Sequence, residues 1–285
     1  MSVLLVVSAE PRTGRSTVAA ALAYRMAGAG TPVTLVRFEG DDSAAADAAM
    51  FASLDYLTTP GRPLGFADMA SLGGNVVAEA PAGVVPPVDG ARVVVVRTSD
   101  GAELPVDAPL LAGTIVTRVP ASSVAEISAQ EGVLAALPED RVLAAPAVPD
   151  IADTLQAQWL VEANGHSDIE RVMIGTIASD AASPYFQNRE RVCVVTRFDK
   201  TDVQLAALLG DIGCMVLTGG GEPSPYLLDR VRSGPEEVAV LLAPDGTVET
   251  MRSIEGLYGA SRFGGALKLA RAVELLDRAG VPSTL

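Results

Sequence analysis

The fold is indicated first by the opening stretch Ser2-Val-Leu-Leu-Val-Val-Ser8-Ala-Glu-Pro-Arg-Thr-Gly-Arg-Ser-Thr17. Its continuous apolar run is typical of a β-strand that is buried on both faces. A turn rich in Pro, Gly and Arg leads from this strand into a helix predicted over residues 16–29, and residues 32–37 predict a second strand. The three elements form a βαβ unit, whose crossover we expect to be right-handed.

The rest of the chain repeats this alternation of strands and helices. In the first half we predict strands over 92–97, 112–118 and 141–143 and helices over 42–54, 124–136 and 151–160, with an irregular segment over 58–90 that holds a helix around 67–72. Beyond residue 164 we predict strands over 171–177, 192–196, 215–218 and 238–242 and helices over 201–209, 225–231 and 266–279. The alternation predicts an α/β fold with two domains: a doubly wound parallel sheet over 1–163 and a smaller α/β domain over 164–285.

Composition narrows the class of partner. The chain has 285 residues, 49% of them hydrophobic, and a formal net charge of −14. A chain this acidic repels phosphate backbones, so we expect no nucleic-acid partner. The N-terminus lacks the pattern of a signal peptide, and no apolar run approaches the ~20 residues that a membrane span requires. We therefore expect a cytoplasmic protein without a membrane partner.

The turn after the first strand resembles a phosphate-binding loop. In the pattern G-x-x-x-x-G-K-[ST], Ala9 stands at the first glycine, Gly14 at the second, Arg15 at the lysine and Ser16 at the hydroxyl. Backbone N–H groups at a helix start attract anions, and two arginines add positive charge. We predict that ATP or a related nucleotide binds with Mg2+, the metal being held by Ser16 and Asp42. The predicted nucleotide-binding residues are Arg12, Thr13, Gly14, Arg15, Ser16 and Thr17.

Two departures from the pattern leave an alternative open. Arginine is a broad planar fork, whereas the lysine of the motif is a compact charge. The strand expected to supply an acid for magnesium ends at Arg97, which leaves Asp100, Asp41 or Asp42 as substitutes. The same residues are compatible with a capped helix that binds no ligand.

The first half resembles the P-loop domain of the dethiobiotin synthetase and cobyrinate a,c-diamide synthase type, over roughly residues 2–160. That domain also precedes the catalytic domain of long bacterial phosphotransacetylases. The likeness is carried by the strand–loop–helix start, by Asp47-Ala-Ala-Met-Phe51 and by Leu143-Ala-Ala-Pro-Ala-Val-Pro-Asp-Ile-Ala152. It implies a nucleotide-binding domain.

The second half resembles a DRTGG domain over roughly residues 168–280. The likeness is carried by the stretches Arg171–Ile177, Val194–Leu208, Cys214–Gly220 and Asp245–Thr250. The chain has Asp199-Lys200 where the family favours Asp-Arg, and Arg197-Phe198 where it tends to have glycines. The resemblance implies a regulatory module through which the chain forms a homo-oligomer. The residues assigned to the motif are Asp199, Lys200, Thr201, Asp202, Thr218, Gly219 and Gly220.

Together the two resemblances imply a nucleotide-binding regulatory or sensor protein of the phosphotransacetylase N-terminal type. We expect no acetyltransferase activity, because the catalytic domain would follow the DRTGG domain. Two other functions remain open at this stage. One is an ATP-dependent ligase of the dethiobiotin synthetase class, against which the arginine at position 97 argues. The other is a dimerisation scaffold that binds no nucleotide.

Overall fold

The structure is a computed structural model, and it describes residues 2–54, 57–163, 169–175, 186, 191–234, 238–260 and 263–283. The chain divides into two compact units. Unit 1 comprises Met1–Asp140 and Phe263–Leu285, and unit 2 comprises Arg141–Arg262. Every described helix is too short or too polar to cross a membrane.

The elements follow one another in an α/β order. The first part of unit 1 contains β1 (Ser2–Val7), α1 (Arg15–Gly28), β2 (Val33–Arg37), α2 (Ala44–Ala52), a 3-10 helix (Phe66–Ser71), β3 (Asn75–Glu79), β4 (Arg92–Thr98), β5 (Leu111–Val119), a 3-10 turn (Ala121–Ser123), α3 (Val124–Ser128) and β6 (Val133–Pro138). Unit 2 contains α4 (Arg141–Ala144), α5 (Val148–Leu155), β7 (Gln158–Val161), β8 (Arg171–Ile174), β9 (Val192–Arg197), α6 (Thr201–Ala207), β10 (Ile212–Thr218), α7 (Pro225–Arg232), β11 (Ala239–Leu242) and α8 (Thr247–Glu255). The chain then returns to unit 1 for α9 (Ala266–Arg278).

Unit 1 is built on a six-stranded parallel sheet in the order β2-β3-β1-β4-β5-β6. The strands at its centre are apolar along their length, as parallel strands covered on both faces require. The predicted α/β class is thereby confirmed, with a smaller α/β unit following the sheet. Unit 2 has a five-stranded sheet in the order β7-β11-β10-β9-β8, in which only β7 runs antiparallel to its neighbour.

One strand of the first sheet lies inside the segment predicted to be irregular. The strand β3 pairs with β1 on one side and β2 on the other, so it occupies an inner position. Its apolar run Val76-Val77-Ala78 is only three residues long, between Gly73-Gly74 and Pro81. The surrounding Gly and Pro residues hid the strand from the sequence pattern.

Two further predictions were wrong over residues 124–143, and the helix predicted over 151–160 spans Val148–Leu155 instead, its predicted end forming the strand β7. The helix predicted over 124–136 ends at Ser128, and its second half forms β6. Gly132, with a φ of 79°, turns the chain into this strand. The strand predicted over 141–143 is instead the helical turn α4.

The units also differ from the predicted domains 1–163 and 164–285. The helix α5 packs against α8, and β7 pairs with β11, so residues 141–163 belong to unit 2. Residues 164–168, at the predicted boundary, lie outside the described residues, as do 176–177 at the end of the predicted strand 171–177. The C-terminal helix α9 packs beside α1 of unit 1, where Arg25 and Asp277 form an ion pair of 2.7 Å.

Candidate functional site

The predicted phosphate loop lies at a topological switch point of the first sheet. The strands β1 and β4 are neighbours, but the chain leaves β1 toward β2 on one side and leaves β4 toward β5 on the other. In open parallel sheets, ligands bind outside the carboxyl ends of strands at such a point. The loop 8–14 that joins β1 to α1 therefore lies where this fold places a binding crevice.

The N-terminus of α1 is open to an acceptor. Gly14 precedes the helix with a φ of 90°, a conformation that a residue with a Cβ rarely adopts, and no side chain caps the helix there. The first helical amide with a backbone acceptor is that of Val18, which donates to Gly14 O at 3.0 Å. Within the described part of the chain, the amides of Arg15, Ser16 and Thr17 have no acceptor. They are the orphan donors of a helix start, which favour an anion.

The loop is held in shape by hydrogen bonds from the end of β5. The hydroxyl of Thr117 donates to Thr13 O at 2.7 Å, and Arg118 Nη2 donates to Arg12 O at 2.9 Å. Arg12 adopts a left-handed φ of 59° and is exposed, whereas Thr13 is buried. The structure thus places the Arg12 side chain, but not that of Thr13, at the surface of the loop.

Arg15 does not extend toward the space in front of α1. Its side chain is 7% exposed, and its Nη1 donates to Ala80 O at 2.8 Å. Its Nε lies 3.6 Å from Oε1 of Glu79, and its Nη2 lies 4.0 Å from Oδ2 of Asp41. Burial is the main cause that lowers the pKa of Arg15 from its usual value. The arginine at the motif's lysine position therefore binds groups of the protein itself rather than facing a ligand in front of α1.

The hydroxyl of Ser16 contacts an acid that the sequence analysis did not single out. Ser16 Oγ donates to Oε1 of Glu79 at 2.9 Å. Glu79 ends β3, next to β1, whereas the sequence pattern predicted the acid at the end of β4, where Arg97 stands. Because β3 was not recognised, its last residue was not considered. Asp42, the predicted metal partner of Ser16, is exposed, while the neighbouring Asp41 faces the arginines.

Glu79 belongs to a buried group that we term the carboxylate–guanidinium cluster. Arg37, at the end of β2, lies at the centre of this cluster, and its side chain is fully buried. Its Nη2 donates to Asp41 at 2.5 Å, its Nε donates to Asp47 at 3.2 Å, and the same Nε lies 3.7 Å from Oε2 of Glu79. The cluster consists of Arg15, Arg37, Asp41, Asp47 and Glu79.

The electrostatics of the cluster follow from burial. Burial raises the pKa of Glu79 to about 7, although Arg37 and Arg15 act to lower it. Burial also acts to raise the pKa of Asp41, but the hydrogen bond and charge of Arg37 outweigh it, and this pKa lies below its usual value. For Arg37, burial is outweighed by Glu79 and Asp41, so its pKa is raised. The ionisation of the acids in the cluster therefore depends on the two arginines, and that of the arginines depends on the acids.

A divalent metal does not fit these residues. Mg2+ requires oxygen ligands in near-ideal octahedral geometry at about 2.0–2.1 Å. Among the described residues, no three His, Cys, Asp or Glu side chains converge in a way that could hold a metal ion. The guanidinium groups of Arg15 and Arg37 lie between the carboxylates of the cluster and contact their oxygens.

A sequence signal for the cluster was present. Arg37 and Glu79 each end a short apolar strand of a parallel sheet, and the carboxyl ends of such strands share one edge. The pairing register places the two residues directly opposite each other. A charged residue at the end of a buried strand, with another on the neighbouring strand, is the pattern that identifies such a pair.

In unit 2 the motif residues lie after β9 and β10. Asp199 pairs with Arg197 through two hydrogen bonds of 2.9 and 2.8 Å, and both side chains are exposed. Lys200 is the N-cap residue of α6, whose first two residues are Thr201 and Asp202. The side chains of Lys200 and Asp202 are also exposed.

The glycines that follow β10 are used for close packing. Gly219 and Gly220 have φ values of 94° and 61°, and their amides donate to Asp245 O at 2.7 Å and Ala243 O at 3.1 Å. The hydroxyl of Thr218 is 2.8 Å from that of Thr247. These two glycine amides therefore have acceptors inside the protein and are not open to an external anion. Beside them is an open groove of about 440 Å³, lined in part by Gly220, Glu222, Asp229 and Arg232.

Comparison with known families identifies this second module. Residues 150–257 match the DRTGG domain family. The match begins at α5 and ends after α8, so it includes β7 and excludes α9, and it lies within unit 2. The predicted resemblance to a DRTGG domain is confirmed, with bounds that begin and end earlier in the chain than 168–280.

One similar solved structure is the crystal structure of the CBS and DRTGG domains of the regulatory region of Clostridium perfringens pyrophosphatase, complexed with its activator diadenosine tetraphosphate. The sequences are 15% identical and the TM-score is 0.38. The match covers 51% of this chain and 61% of that chain, which is less than two thirds of its length.

Proposed function

We propose that this protein is a nucleotide-binding regulatory or sensor protein of the phosphotransacetylase N-terminal type. Unit 1 binds ATP or a related nucleotide at the start of α1, and the DRTGG domain mediates homo-oligomer contact. The proposal places the protein in the cytoplasm. The observation that carries it is the uncapped helix start after Gly14, at the switch point of a parallel sheet.

The charge around the loop supports an anionic ligand. Arg12 and Arg118 are exposed on the loop and at the end of β5, and Arg97 is partly exposed at the end of β4. In a chain with a net charge of −14, these side chains place cations where three helix amides are open. A phosphate group gains both from the amides and from the arginines.

The backbone of the loop supports the same function. A left-handed φ at a residue other than glycine is uncommon, and such strain is concentrated at binding sites. Arg12 and Arg118 both have this conformation, and the two are joined by the hydrogen bond from Arg118 Nη2 to Arg12 O. The loop is therefore preorganised by β5 rather than shaped by the ligand alone.

A ligase of the dethiobiotin synthetase class is less well supported. Such an enzyme activates its substrate with ATP and magnesium, and the carboxylates beside Ser16 are paired with Arg15 and Arg37. We therefore propose binding of a nucleotide and leave Mg2+ out of the proposal.

The test is isothermal titration calorimetry of the full chain with ATP, ADP and a dinucleotide, combined with two matched pairs of variants. Gly14→Ala and Gly30→Ala both place a side chain at a left-handed position, one at each end of α1. Arg12→Ala and Arg92→Ala both remove an exposed arginine of unit 1, one at the loop and one at the start of β4.

We expect a nucleotide to release or absorb heat with the wild type. Gly14→Ala should weaken binding about tenfold or more, because a change of φ at that residue moves the amides of α1; this corresponds to about 1.4 kcal/mol. Arg12→Ala should weaken binding less, and the Gly30 and Arg92 variants should bind as the wild type does. Absence of heat with every nucleotide, or equal loss in the two glycine variants, contradicts the proposal.

A further inference from the structure

We propose that the guanidinium groups of Arg15 and Arg37 hold the place of a divalent metal beside Ser16, so that this site excludes the metal. It follows, if the proposed function is correct, that the phosphate loop takes its nucleotide without a metal bound to the cluster. The ligand class is then a phosphate group recognised by amides and arginines alone. The exclusion of the metal is a property of the protein itself and is testable without any nucleotide.

Hydrogen-bond donors already occupy carboxylate oxygens of the three acids in the cluster. Oε1 of Glu79 accepts the hydrogen bond of Ser16 and lies 3.6 Å from Arg15 Nε. Oδ1 of Asp41 accepts a hydrogen bond from Arg37 Nη2 and lies 3.0 Å from Ser43 Oγ. Oδ2 of Asp47 accepts from Arg37 Nε and from the same Ser43 hydroxyl at 2.6 Å. Each of the three acids thus has one carboxylate oxygen that already accepts a hydrogen bond.

Two carboxylate oxygens of the cluster that accept no hydrogen bond each face a guanidinium group. Oε2 of Glu79 is buried without a hydrogen-bond partner, and Arg37 Nε lies 3.7 Å from it. Oδ2 of Asp41 lies 4.0 Å from Arg15 Nη2. A divalent ion coordinated by either oxygen would sit against a guanidinium that is itself buried and cannot move into solvent without exposing its own partners.

Backbone hydrogen bonds hold both guanidinium groups in a fixed orientation. Arg15 Nη1 is fixed on Ala80 O at 2.8 Å, and Arg37 Nη1 on Phe38 O at 2.5 Å. Backbone carbonyls at the ends of β3 and β2 therefore anchor both guanidinium planes among the carboxylates. A planar guanidinium with five donors satisfies several acceptors in a fixed geometry, which a metal would have to displace as a whole.

The experiment is a titration of Mn2+, a paramagnetic substitute for Mg2+, into the full chain, followed by electron paramagnetic resonance of the free aqua ion. The wild type is compared with Glu79→Gln, Arg37→Gln, Arg15→Gln and the surface control Arg278→Gln. Circular dichroism establishes which variants are folded. We expect no site that depends on Glu79 in the wild type or in the Arg278 control, and one new Mn2+ site per chain in a folded Arg37 or Arg15 variant, where carboxylates are released.

Loss of the free signal with the wild type, reversed in Glu79→Gln, overturns the inference, because the cluster would then bind a metal with its arginines in place. Folded Arg37 and Arg15 variants that bind no Mn2+ also overturn it, since the carboxylates would then form no site to be filled. Binding by the wild type that survives in Glu79→Gln lies elsewhere and supports the exclusion. If Arg37→Gln does not fold, the Mn2+ titrations of the wild type and of Arg15→Gln decide between exclusion and binding of the metal.

A second arm separates this inference from the proposed function. ATP is titrated into the wild type with Mg2+ and again with EDTA, and we expect affinities that differ less than about threefold. A loss of more than about tenfold in EDTA contradicts the binding of a metal-free phosphate. Absence of ATP binding under both conditions counts against the proposed function alone, and the Mn2+ titration then decides on the metal.

Discussion

Removing Arg37 should destabilise unit 1 more than the loss of any surface ion pair. The substitution Arg37→Met keeps an unbranched chain of similar reach but removes a guanidinium whose side chain is fully buried. Asp41, Asp47 and Glu79 would lose a partner at 2.5, 3.2 and 3.7 Å respectively. Breaking a buried ion pair by removing one partner costs about 3–5 kcal/mol. Glu79 and Asp47, whose side chains are 1% and 12% exposed, would lose this partner away from water, whereas Asp41 is 28% exposed and stays partly solvated.

This cost is a large part of the roughly 5–15 kcal/mol by which a native domain is stable. It corresponds to a fall in Tm of about 6–20 °C for a unit of this size. The control is Arg278→Met, which removes an ion pair with Glu274 whose side chains are 63% and 44% exposed. Such a pair contributes at most about 1 kcal/mol.

Urea unfolding followed by far-UV circular dichroism measures both variants. The single tryptophan, Trp159, lies in β7 of unit 2, so its fluorescence reports on that unit separately. We expect the large loss in the dichroism transition of Arg37→Met and a small one in the control. If Arg37→Met lost no more than Arg278→Met, the cluster would not be desolvated, and our account of it would be refuted.

The remaining predictions concern pH and packing. The pKa of Glu79 is raised by burial from 4.5 to about 7, so the protonated side chain stabilises the fold below pH 4.5 and this contribution is lost as the pH rises to about 7. The loss amounts to at most about 3 kcal/mol, and Glu79→Gln should not show it; parallel stability profiles of the two proteins between pH 4.5 and 8 would contradict the assignment. Gly221→Ala should cost about 1–3 kcal/mol, because its Cβ would lie 2.3 Å from Cζ of Phe198, and Phe198→Leu should recover part of that loss in urea unfolding. Gly28→Ala, which meets no atom within 4 Å in the last turn of α1, should instead stabilise by up to about 1 kcal/mol.

The sequence was sufficient to predict the position and type of the elements with long apolar runs. The strands β1, β4 and β5 and the helices α1 and α9 lie within one or two residues of their predicted bounds. The short strand β3 was missed because three apolar residues among glycines and prolines give no periodicity. The run Val133–Leu137 is compatible with either a helix or a strand, and only the parallel pairing with β5 selects the strand.

The site could be predicted only in its local part. The helix start at Gly14 follows from a glycine before a helix, and the structure has it there. The direction of the Arg15 side chain depends on Glu79 and Ala80, which are more than sixty positions away in the chain and adjacent only because β3 pairs with β1. Neither the loop motif nor the composition of the chain could predict that contact.

The return of the chain to unit 1 for α9 governs how this protein can be dissected. A fragment that stops at residue 163 would carry β7 without the strand β11 that it pairs with, and would leave α1 without the helix beside it. A fragment that begins at residue 164 would lack α5 and β7. Since the polypeptide passes between the units twice, near residues 140 and 262, a single proteolytic nick at one passage leaves the two units joined by the other.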